Sequence, residues 1–240
     1  MRMQTVVRAL YPPQCVGCAA LTTEDFGLCG ACWRETPFIS GLVCDCCGAP
    51  LPGHDDGLAV HCDDCLATPR PWAHGRAALR YEGTARRLVL ALKHGDRTDL
   101  AQAAGRWMAQ ASGPLLRDDM LVVPVPLHWT RLLRRRFNQA ALLARVVGGV
   151  TRMEVMPDLL VRSRRTHLLE GLGRDARFAM LDAAIYPHPK RGVQAAGRPV
   201  LLIDDVMTSG ATLAAAAEAA QAAGATEVCV LTLARVCKDT

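Results

Sequence analysis

Apolar runs alternate with amphipathic segments in the C-terminal two thirds of the chain. Val200–Ile203 is an uninterrupted apolar run, which is typical of a strand buried on both faces of a parallel sheet. The Ala-rich segment Leu213–Ala223 that follows predicts a helix, with Gly224 as its C-cap. A buried strand, a turn and a helix in this order are the building unit of α/β proteins.

The same alternation precedes this unit. Strands are predicted over Ala77–Tyr81 and Met120–Val125. Helices are predicted over Thr84–Lys93, over Leu100–Ala111, and from Asn138 to a stop at Gly148-Gly149. The expected fold class is therefore α/β, with a mostly parallel sheet flanked by helices.

Cysteines are concentrated near the N-terminus, where nine of the eleven lie between Cys15 and Cys65. Such clustering indicates metal binding in a reducing compartment. Eight of them form C-x-x-C pairs: Cys15/Cys18, Cys29/Cys32, Cys44/Cys47 and Cys62/Cys65. Two such pairs complete a tetrahedral Cys₄ zinc site, so one or two structural Zn²⁺ ions are expected. Pairing consecutive turns gives two zinc ribbons, while interleaved pairing or one occupied site are the alternatives. Cys46 is predicted to be a bystander.

Two regions of the chain differ in composition. Residues 1–68 hold few large apolar side chains, so we expect this module to need metal in order to fold. The Pro-rich stretch Pro69–Trp72 marks the predicted boundary with a second domain, residues 69–240. No run approaches 18 apolar residues, and Met1–Leu10 is too short and too polar for a signal peptide. We expect a cytoplasmic protein without membrane insertion.

Positive charge is unevenly distributed along the chain. The formal net charge is +5, yet residues 121–198 alone hold 14 Lys and Arg against 5 Asp and Glu. Such an excess favours anionic ligands. A solvated basic face is the alternative.

Two carboxylates and a turn of small residues follow the strand at Val200–Ile203. Asp204 and Asp205 come first, and the small side chains of Thr208–Thr212 let backbone N–H groups close around a phosphate at a helix N-terminus. The alternative is that the acidic residues only cap the helix. Adjacent carboxylates repel each other, however, unless a ligand or cation uses both.

This stretch resembles the phosphoribosyl-pyrophosphate (PRPP) signature of the type I phosphoribosyltransferases. The resemblance implies that Asp204 and Asp205 hold the ribose hydroxyls. It also implies a loop around the 5′-phosphate, made of Thr208, Ser209, Gly210, Ala211 and Thr212. Mg²⁺ is then expected on the pyrophosphate, bound mainly through substrate oxygens and water.

A second strand-to-helix turn offers further anion ligands. Pro124 and Val125 lie at this turn, and Arg131 and Arg135 follow it, where guanidinium groups suit pyrophosphate. Lys93 fits a phosphate ligand and an ordinary surface lysine equally well. His94 and His128 are interpreted as surface histidines rather than acid–base groups, and Asn138 as a helix cap as readily as a substrate ligand.

Motifs spread over most of the chain resemble the ComF family of competence-associated, phosphoribosyltransferase-like proteins. They are Leu10-Tyr11-Pro12-Pro13, Leu92-Lys93 with Gly95-Asp96, Val123–Leu127 with Arg131, Phe137-Asn138-Gln139-Ala140, the cysteine pairs and Asp204-Asp205. The chain departs from the family at Arg136, where Gly is usual, and in Arg162–Phe178, which lacks the usual Gln and Asn.

The resemblance implies a type I phosphoribosyltransferase fold with an N-terminal double zinc ribbon. The first functional hypothesis is Mg²⁺-dependent transfer of phosphoribosyl from PRPP to an unknown acceptor, in competence, DNA uptake or nucleotide salvage. Asp204, Asp205 and Arg131 are then the catalytic candidates. The alternative is a non-catalytic sensor of PRPP or a nucleotide that binds single-stranded DNA or a DNA-uptake protein.

Overall fold

A parallel sheet of five strands forms the centre of the protein. The computed structural model describes residues 11–94, 97–127, 137–162 and 185–237. The strands are β1 (His74–Arg80), β2 (Leu121–Pro124), β3 (Glu154–Val155), β6 (Val200–Met207) and β7 (Val228–Arg235). Their order across the sheet is β1-β7-β6-β2-β3, and every neighbouring pair is parallel. The predicted sheet is confirmed.

Helices flank this sheet, and a small hairpin lies beside it. The helices are α1 (Gly30–Glu35), α2 (Asp63–Ala67), α3 (Gly83–His94), α4 (Leu100–Ala111), α5 (Gln139–Thr151) and α6 (Ala211–Ala222), with short 3₁₀ turns at Gly113–Leu115 and Gly192–Ala195. The remaining strands, β4 (Leu160–Arg162) and β5 (Ile185–Pro187), pair with each other in antiparallel fashion.

Both faces of the sheet are buried in separate apolar cores. On β6, Leu201 and Ile203 point into one core with residues of α3, α4 and α5, while Val200 and Leu202 point into the other with residues of α6. This alternation follows from the two-residue period of a strand. It explains why the strand has a continuous apolar sequence rather than an alternating one.

The two cysteine-rich segments, the first ribbon (residues 15–32) and the second ribbon (residues 44–65), lie against opposite faces of the sheet. The first ribbon contributes Val16 to the core of α3, α4 and α5, whereas the second contributes Cys44 and Cys47 to the core of α6. Residues 37–39 pass between them along the outer edge of β1. There the Ile39 N–H donates to the Ala78 carbonyl at 3.0 Å, and the Arg80 N–H donates to the Pro37 carbonyl at 2.9 Å. The segment thus covers a strand edge that would otherwise be unpaired.

Two predicted elements end too early, and β1 begins at His74 rather than at the predicted Ala77. The strand predicted to end at Ile203 continues to Met207 because β7 is equally long and supplies paired residues for Asp204, Val206 and Met207. The helix predicted to stop at Gly148-Gly149 continues to Thr151 and ends at Arg152, which is left-handed (φ 60°). The residues after each predicted end have partners in space, which a local pattern does not reveal.

Among the residues that the structure describes, no helix is long and apolar enough to cross a membrane. The division into domains at residues 68 and 69 and the cytoplasmic location stay predictions.

Candidate functional site

Two Cys₄ clusters form from consecutive cysteine pairs. Cys15, Cys18, Cys29 and Cys32 make one, and Cys44, Cys47, Cys62 and Cys65 make the other; within each, all sulfur atoms lie within 4.8 Å of one another. This span is close to what four thiolates about 2.3 Å from a single zinc ion allow. A hydrogen bond from Cys47 also lowers the pKa of the Cys44 thiol to about 4, which favours the thiolate that binds metal. The donor sets fit two structural Zn²⁺ ions, and the interleaved pairing is wrong.

The second ribbon is packed tightly on β1. Gly48 follows the Cys44–Cys47 turn with a φ of +68°, and a Cβ at this position would lie only 2.5 Å from the Ala77 backbone nitrogen. The Gly75 N–H donates to the Asp45 carbonyl at 2.8 Å, and the Arg76 guanidinium forms an ion pair with the Asp45 carboxylate at 2.9 Å. The cluster is therefore part of the sheet's surroundings rather than a separate appendage.

The predicted phosphate loop lies at the carboxyl end of β6. Thr208–Gly210 connects the strand to α6, and Gly210 is left-handed with a φ of +83°. Ser209 accepts a weak hydrogen bond from the Ala211 N–H at its Oγ (3.4 Å). The first backbone N–H groups of α6 have no intrahelical carbonyl to bind, and a helix N-terminus carries partial positive charge. This loop can bind an anionic group.

A cavity of about 300 Å³ opens beside the loop, over the carboxyl ends of β2 and β6. Its lining contains Asp204, Asp205, Thr208 and Thr212, together with Lys93. The Lys93 Nζ forms an ion pair with Asp205 at 2.9 Å, and both side chains are largely buried. Parallel sheets bind ligands in such clefts at their carboxyl ends. The structure thus brings Lys93 and the acidic pair together, although 110 residues separate them in sequence.

Asp204 has a different environment from its neighbour. Burial, followed by the negative charge of Asp205, raises the pKa of Asp204 to about 7, while its hydrogen bond with the Asp205 backbone and the charges of Lys93 and Arg162 act in the opposite direction. The Asp205 N–H donates to Asp204 Oδ1 at 2.8 Å. The pair therefore holds one carboxylate in an ion pair with Lys93 and one carboxyl group that exchanges a proton near neutral pH.

The second predicted turn is only partly described. Val125 lines the cavity, but its N–H donates to the Ile203 carbonyl at 2.9 Å and so remains engaged in the sheet; Pro124 is the last residue of β2. Asn138 caps α5, since its Oδ1 accepts from the Ala140 N–H at 3.0 Å, and it also donates to the Val125 carbonyl at 3.1 Å. The cap interpretation is confirmed. Arg131, Arg135, His128 and Gly95-Asp96 lie outside the described residues.

Several residues at the site were missed by the sequence analysis or left without a role. Tyr81 and Arg162 line the cavity, from the end of β1 and from β4. Arg70 donates to the Ser209 carbonyl at 2.7 Å, and Arg235 donates to the Thr208 carbonyl at 2.8 Å. A basic residue at the end of the last apolar strand was the available signal for Arg235. Nothing in the local sequence around Arg70 indicates a contact 139 residues away.

Residues 6–66 match the family described as the double zinc ribbon domain. The chain is 29% identical over 222 residues to the DNA utilization protein YhgH of Escherichia coli strain K12, covering 90% of this chain and 93% of that protein. It is 27% identical over 229 residues to competence protein F of Haemophilus influenzae, covering 92% of this chain and 96% of that protein.

Solved structures with a similar chain trace are more distant. One is described as the allosteric regulatory enzyme of purine biosynthesis, with a TM-score of 0.41 and 17% identity over 60% of this chain and 30% of that chain. Another is a hypoxanthine-guanine phosphoribosyltransferase from Bacillus anthracis, with a TM-score of 0.34 and 17% identity over 60% of this chain and 74% of that chain.

These findings bear on three predictions. The resemblance to the competence proteins is confirmed by relatives that share nearly the whole length of the chain. The fold class is confirmed by the parallel sheet flanked by helices and by the N-terminal double zinc ribbon. The roles assigned to individual residues, and the binding of PRPP and Mg²⁺, stay predictions.

Proposed function

We propose that this ComF-like chain, a homologue of competence and DNA-utilization proteins, binds PRPP with Mg²⁺ and transfers its phosphoribosyl group to an acceptor. One observation carries the proposal: the acidic pair, the small-residue loop and Lys93 converge on a single cavity at the carboxyl edge of the sheet. A ribose phosphate needs acceptors for its hydroxyls and donors for its phosphate. The two aspartates and the loop N–H groups supply these in adjacent positions.

The residues of the cavity suit the charges of this reaction. Asp205, paired with Lys93, can accept hydrogen bonds from ribose hydroxyls, while the Thr208–Thr212 loop holds the 5′-phosphate. Carboxylate oxygens suit Mg²⁺, which when bound would neutralise charge on the pyrophosphate. Arg162 adds a positive charge from β4 to the same cavity.

In the transfer itself, the bond between the ribose anomeric carbon and the pyrophosphate oxygen breaks, and pyrophosphate leaves with the electron pair. The acceptor's nucleophilic atom bonds to the anomeric carbon and gives up its proton. Because the sugar becomes cation-like as the bond breaks, nearby carboxylates stabilise it electrostatically. Asp204, whose pKa is raised to about 7, can exchange a proton near neutral pH in this cavity.

The test is calorimetric titration of the full chain with PRPP and MgCl₂, together with the thermal shift that binding to the native state produces. We expect saturable binding by the wild type and at least about tenfold weaker binding by Asp205→Asn, which loses a charged acceptor. Asp158→Asn is the matched control, because Asp158 is a solvent-accessible carboxylate that pairs with Arg191 at 2.7 Å and does not line the cavity. Equal affinities for the wild type and Asp205→Asn would contradict the proposal.

Release of pyrophosphate across a panel of nucleobases then separates an enzyme from a sensor. The alternative, a nucleotide sensor that contacts single-stranded DNA, is favoured by the DNA-related names of the relatives and by the excess of positive charge in residues 121–198. It predicts PRPP binding without pyrophosphate release, together with salt-sensitive binding of single-stranded DNA. The intact chain is required for both measurements, since each ribbon packs into a core of the sheet.

A further inference from the structure

Arg235 is a buried arginine directly beneath the phosphate loop. It is the last residue of β7, and only 4% of its surface is exposed. Its Nη1 donates to the carbonyls of Met207 at 3.3 Å and Thr208 at 2.8 Å, and also to the carbonyl of Val236. Burial of an arginine is costly unless its donors are used. Here the Nη1 donors are used on the last residue of β6, on the first residue of the loop and on the residue that follows Arg235.

Arg70 holds the next residue of the loop from the side. Its Nη1 donates to the Ser209 carbonyl at 2.7 Å, and its guanidinium lies 5.7 Å from the ring centre of Trp72. A Cβ on Gly210 would come within 3.2 Å of Trp72 and 3.3 Å of Arg70, so the loop rests directly on these side chains. Two arginines thus hold three consecutive carbonyls, those of residues 207, 208 and 209.

This arrangement determines where the loop N–H groups point. In a trans peptide the carbonyl and the following N–H point in opposite directions. With the carbonyls of residues 207–209 directed to the arginines, the N–H groups of Thr208, Ser209 and Gly210 are directed away from them. Those are the donors that a phosphate requires in the proposed site.

Arg70 also connects the loop to the second cysteine cluster, through Trp72. The Arg70 guanidinium lies over the Trp72 ring, and the Trp72 indole N–H donates to the Cys46 carbonyl at 2.7 Å, inside the Cys44–Cys47 turn. Trp72 is buried in the same apolar core as Cys44 and Cys47. Hydrogen bonds around a set of metal ligands orient those ligands.

We infer that the second zinc cluster is a positioning element of the phosphate loop, with Trp72 and Arg70 as the connecting residues. Phosphate-ligand binding and zinc retention are then coupled, because each favours the same arrangement of these two side chains. Coupling of this kind is reciprocal: a ligand that orders the loop slows zinc loss, and a loosened cluster weakens the ligand. The inference rests on the proposed function for the identity of the ligand.

The experiment compares three full-length variants. Arg70→Met removes the contact with Ser209 and the charge over Trp72, and Arg70→Lys keeps the charge without the planar fork. Arg198→Met is the matched control: in the described part of the chain, its side-chain hydrogen bonds go to the Asp119 carbonyl and the Glu154 carboxylate, at the opposite end of β6 from the loop. Zinc release is followed with a thiol-reactive mercurial and a colorimetric zinc indicator, with and without PRPP and Mg²⁺. Affinity for PRPP is measured by calorimetry.

In the wild type, PRPP with Mg²⁺ should slow the release of one of the two zinc ions. Arg70→Met should abolish this protection and weaken PRPP binding about tenfold, the equivalent of one charge-assisted hydrogen bond. Arg70→Lys should give an intermediate result, and Arg198→Met should keep both the affinity and the protection. Equal behaviour of Arg70→Met and Arg198→Met would overturn the inference. If Arg70→Met does not fold, Trp72→Phe takes its place, because it keeps an aromatic ring and loses the indole N–H that donates to the Cys46 carbonyl.

Failure of the proposed function can be recognised separately. If the wild type does not bind PRPP, that function is wrong, and the ligand-free zinc release decides the inference. Faster loss of one zinc ion from Arg70→Met than from Arg198→Met supports it, and equal rates contradict it.

Discussion

Asp204 and Asp205 are neighbours on β6 but have different partners. Asp205 is paired with Lys93 at 2.9 Å, whereas burial and the charge of Asp205 raise the pKa of Asp204 to about 7. One carboxylate of the pair thus has a lysine partner, whereas the other titrates near neutral pH. The sequence predicts the pair but not this division, because Lys93 reaches the pair only through the packing of α3 on the sheet.

The raised pKa of Asp204 predicts a pH-dependent stability. A carboxyl group with a folded pKa above its ordinary value of 3.8 favours the folded state fully below that value, and the contribution is lost as the pH rises through about 7. We therefore expect Asp204→Asn to exceed the wild type in free energy of unfolding by on the order of 4 kcal/mol at pH 8, and the difference to vanish near pH 4. Urea unfolding across this pH range, without ligand, measures it. If the free energies of unfolding of the two proteins changed equally with pH, the raised pKa of Asp204 would be wrong. As a control, Asp158→Asn should follow the wild type.

At the scale of elements, neither glycine of the Gly148-Gly149 pair ends α5, and only Gly148 has a packing role. A Cβ on Gly148 would lie 2.2 Å from Val155 Cγ2, so the absence of a side chain lets the helix approach β3 closely. Gly149 faces open space. Apart from its chain neighbours and the backbone of α5 itself, no heavy atom of the described residues lies within 4 Å of a Cβ placed there. Two adjacent glycines look alike in sequence, but only one of them is required by a neighbouring strand.

This difference predicts opposite effects of the same substitution. Gly148→Ala should lower the free energy of unfolding by about 1 to 3 kcal/mol, because the methyl group overpacks the contact with Val155. Gly149→Ala should raise it by up to about 1 kcal/mol, since alanine is the better helix former at an unobstructed position. Urea unfolding of the two variants checks the signs. A similar loss of stability in both would show that α5 does not pack on β3 as described.

At the scale of the whole molecule, the two ribbons differ in how far they are built into the protein. In the second, Cys44 and Cys47 are fully buried and belong to the core on the α6 face of the sheet. In the first, Cys18 is exposed and Cys29 is partly exposed. Loss of metal from the second ribbon therefore removes support from β1, Trp72 and the phosphate loop, whereas loss from the first leaves these contacts in place.

Single-ligand variants should reveal this asymmetry. We expect two zinc ions per wild-type chain by elemental analysis, and about one in both Cys47→Ser and Cys18→Ser, since each change opens one Cys₄ site. Cys47→Ser should lower the melting temperature considerably more than Cys18→Ser because it disrupts a buried cluster. Identical melting temperatures would mean that the two ribbons support the fold equally.

The sequence by itself determined the features that depend on local pattern. Continuous apolar runs predicted the buried strands β2 and β6, C-x-x-C spacing predicted the metal ligands, and small residues after a strand predicted the Thr208–Thr212 loop. Each of these signals lies within a few neighbouring residues. Such spacing reflects backbone geometry, because the period of a helix or strand and the length of a turn are set locally in the chain.

Only the tertiary structure decided which of these parts meet. It paired consecutive cysteine turns, placed the ribbons on opposite faces of the sheet, and brought Lys93 to Asp205. It also placed Arg70 and Arg235 under the loop. These contacts join residues far apart in sequence, and they depend on how the sheet orders its strands and on what covers each face. A local pattern cannot contain that information, since the same segment is compatible with many different neighbours.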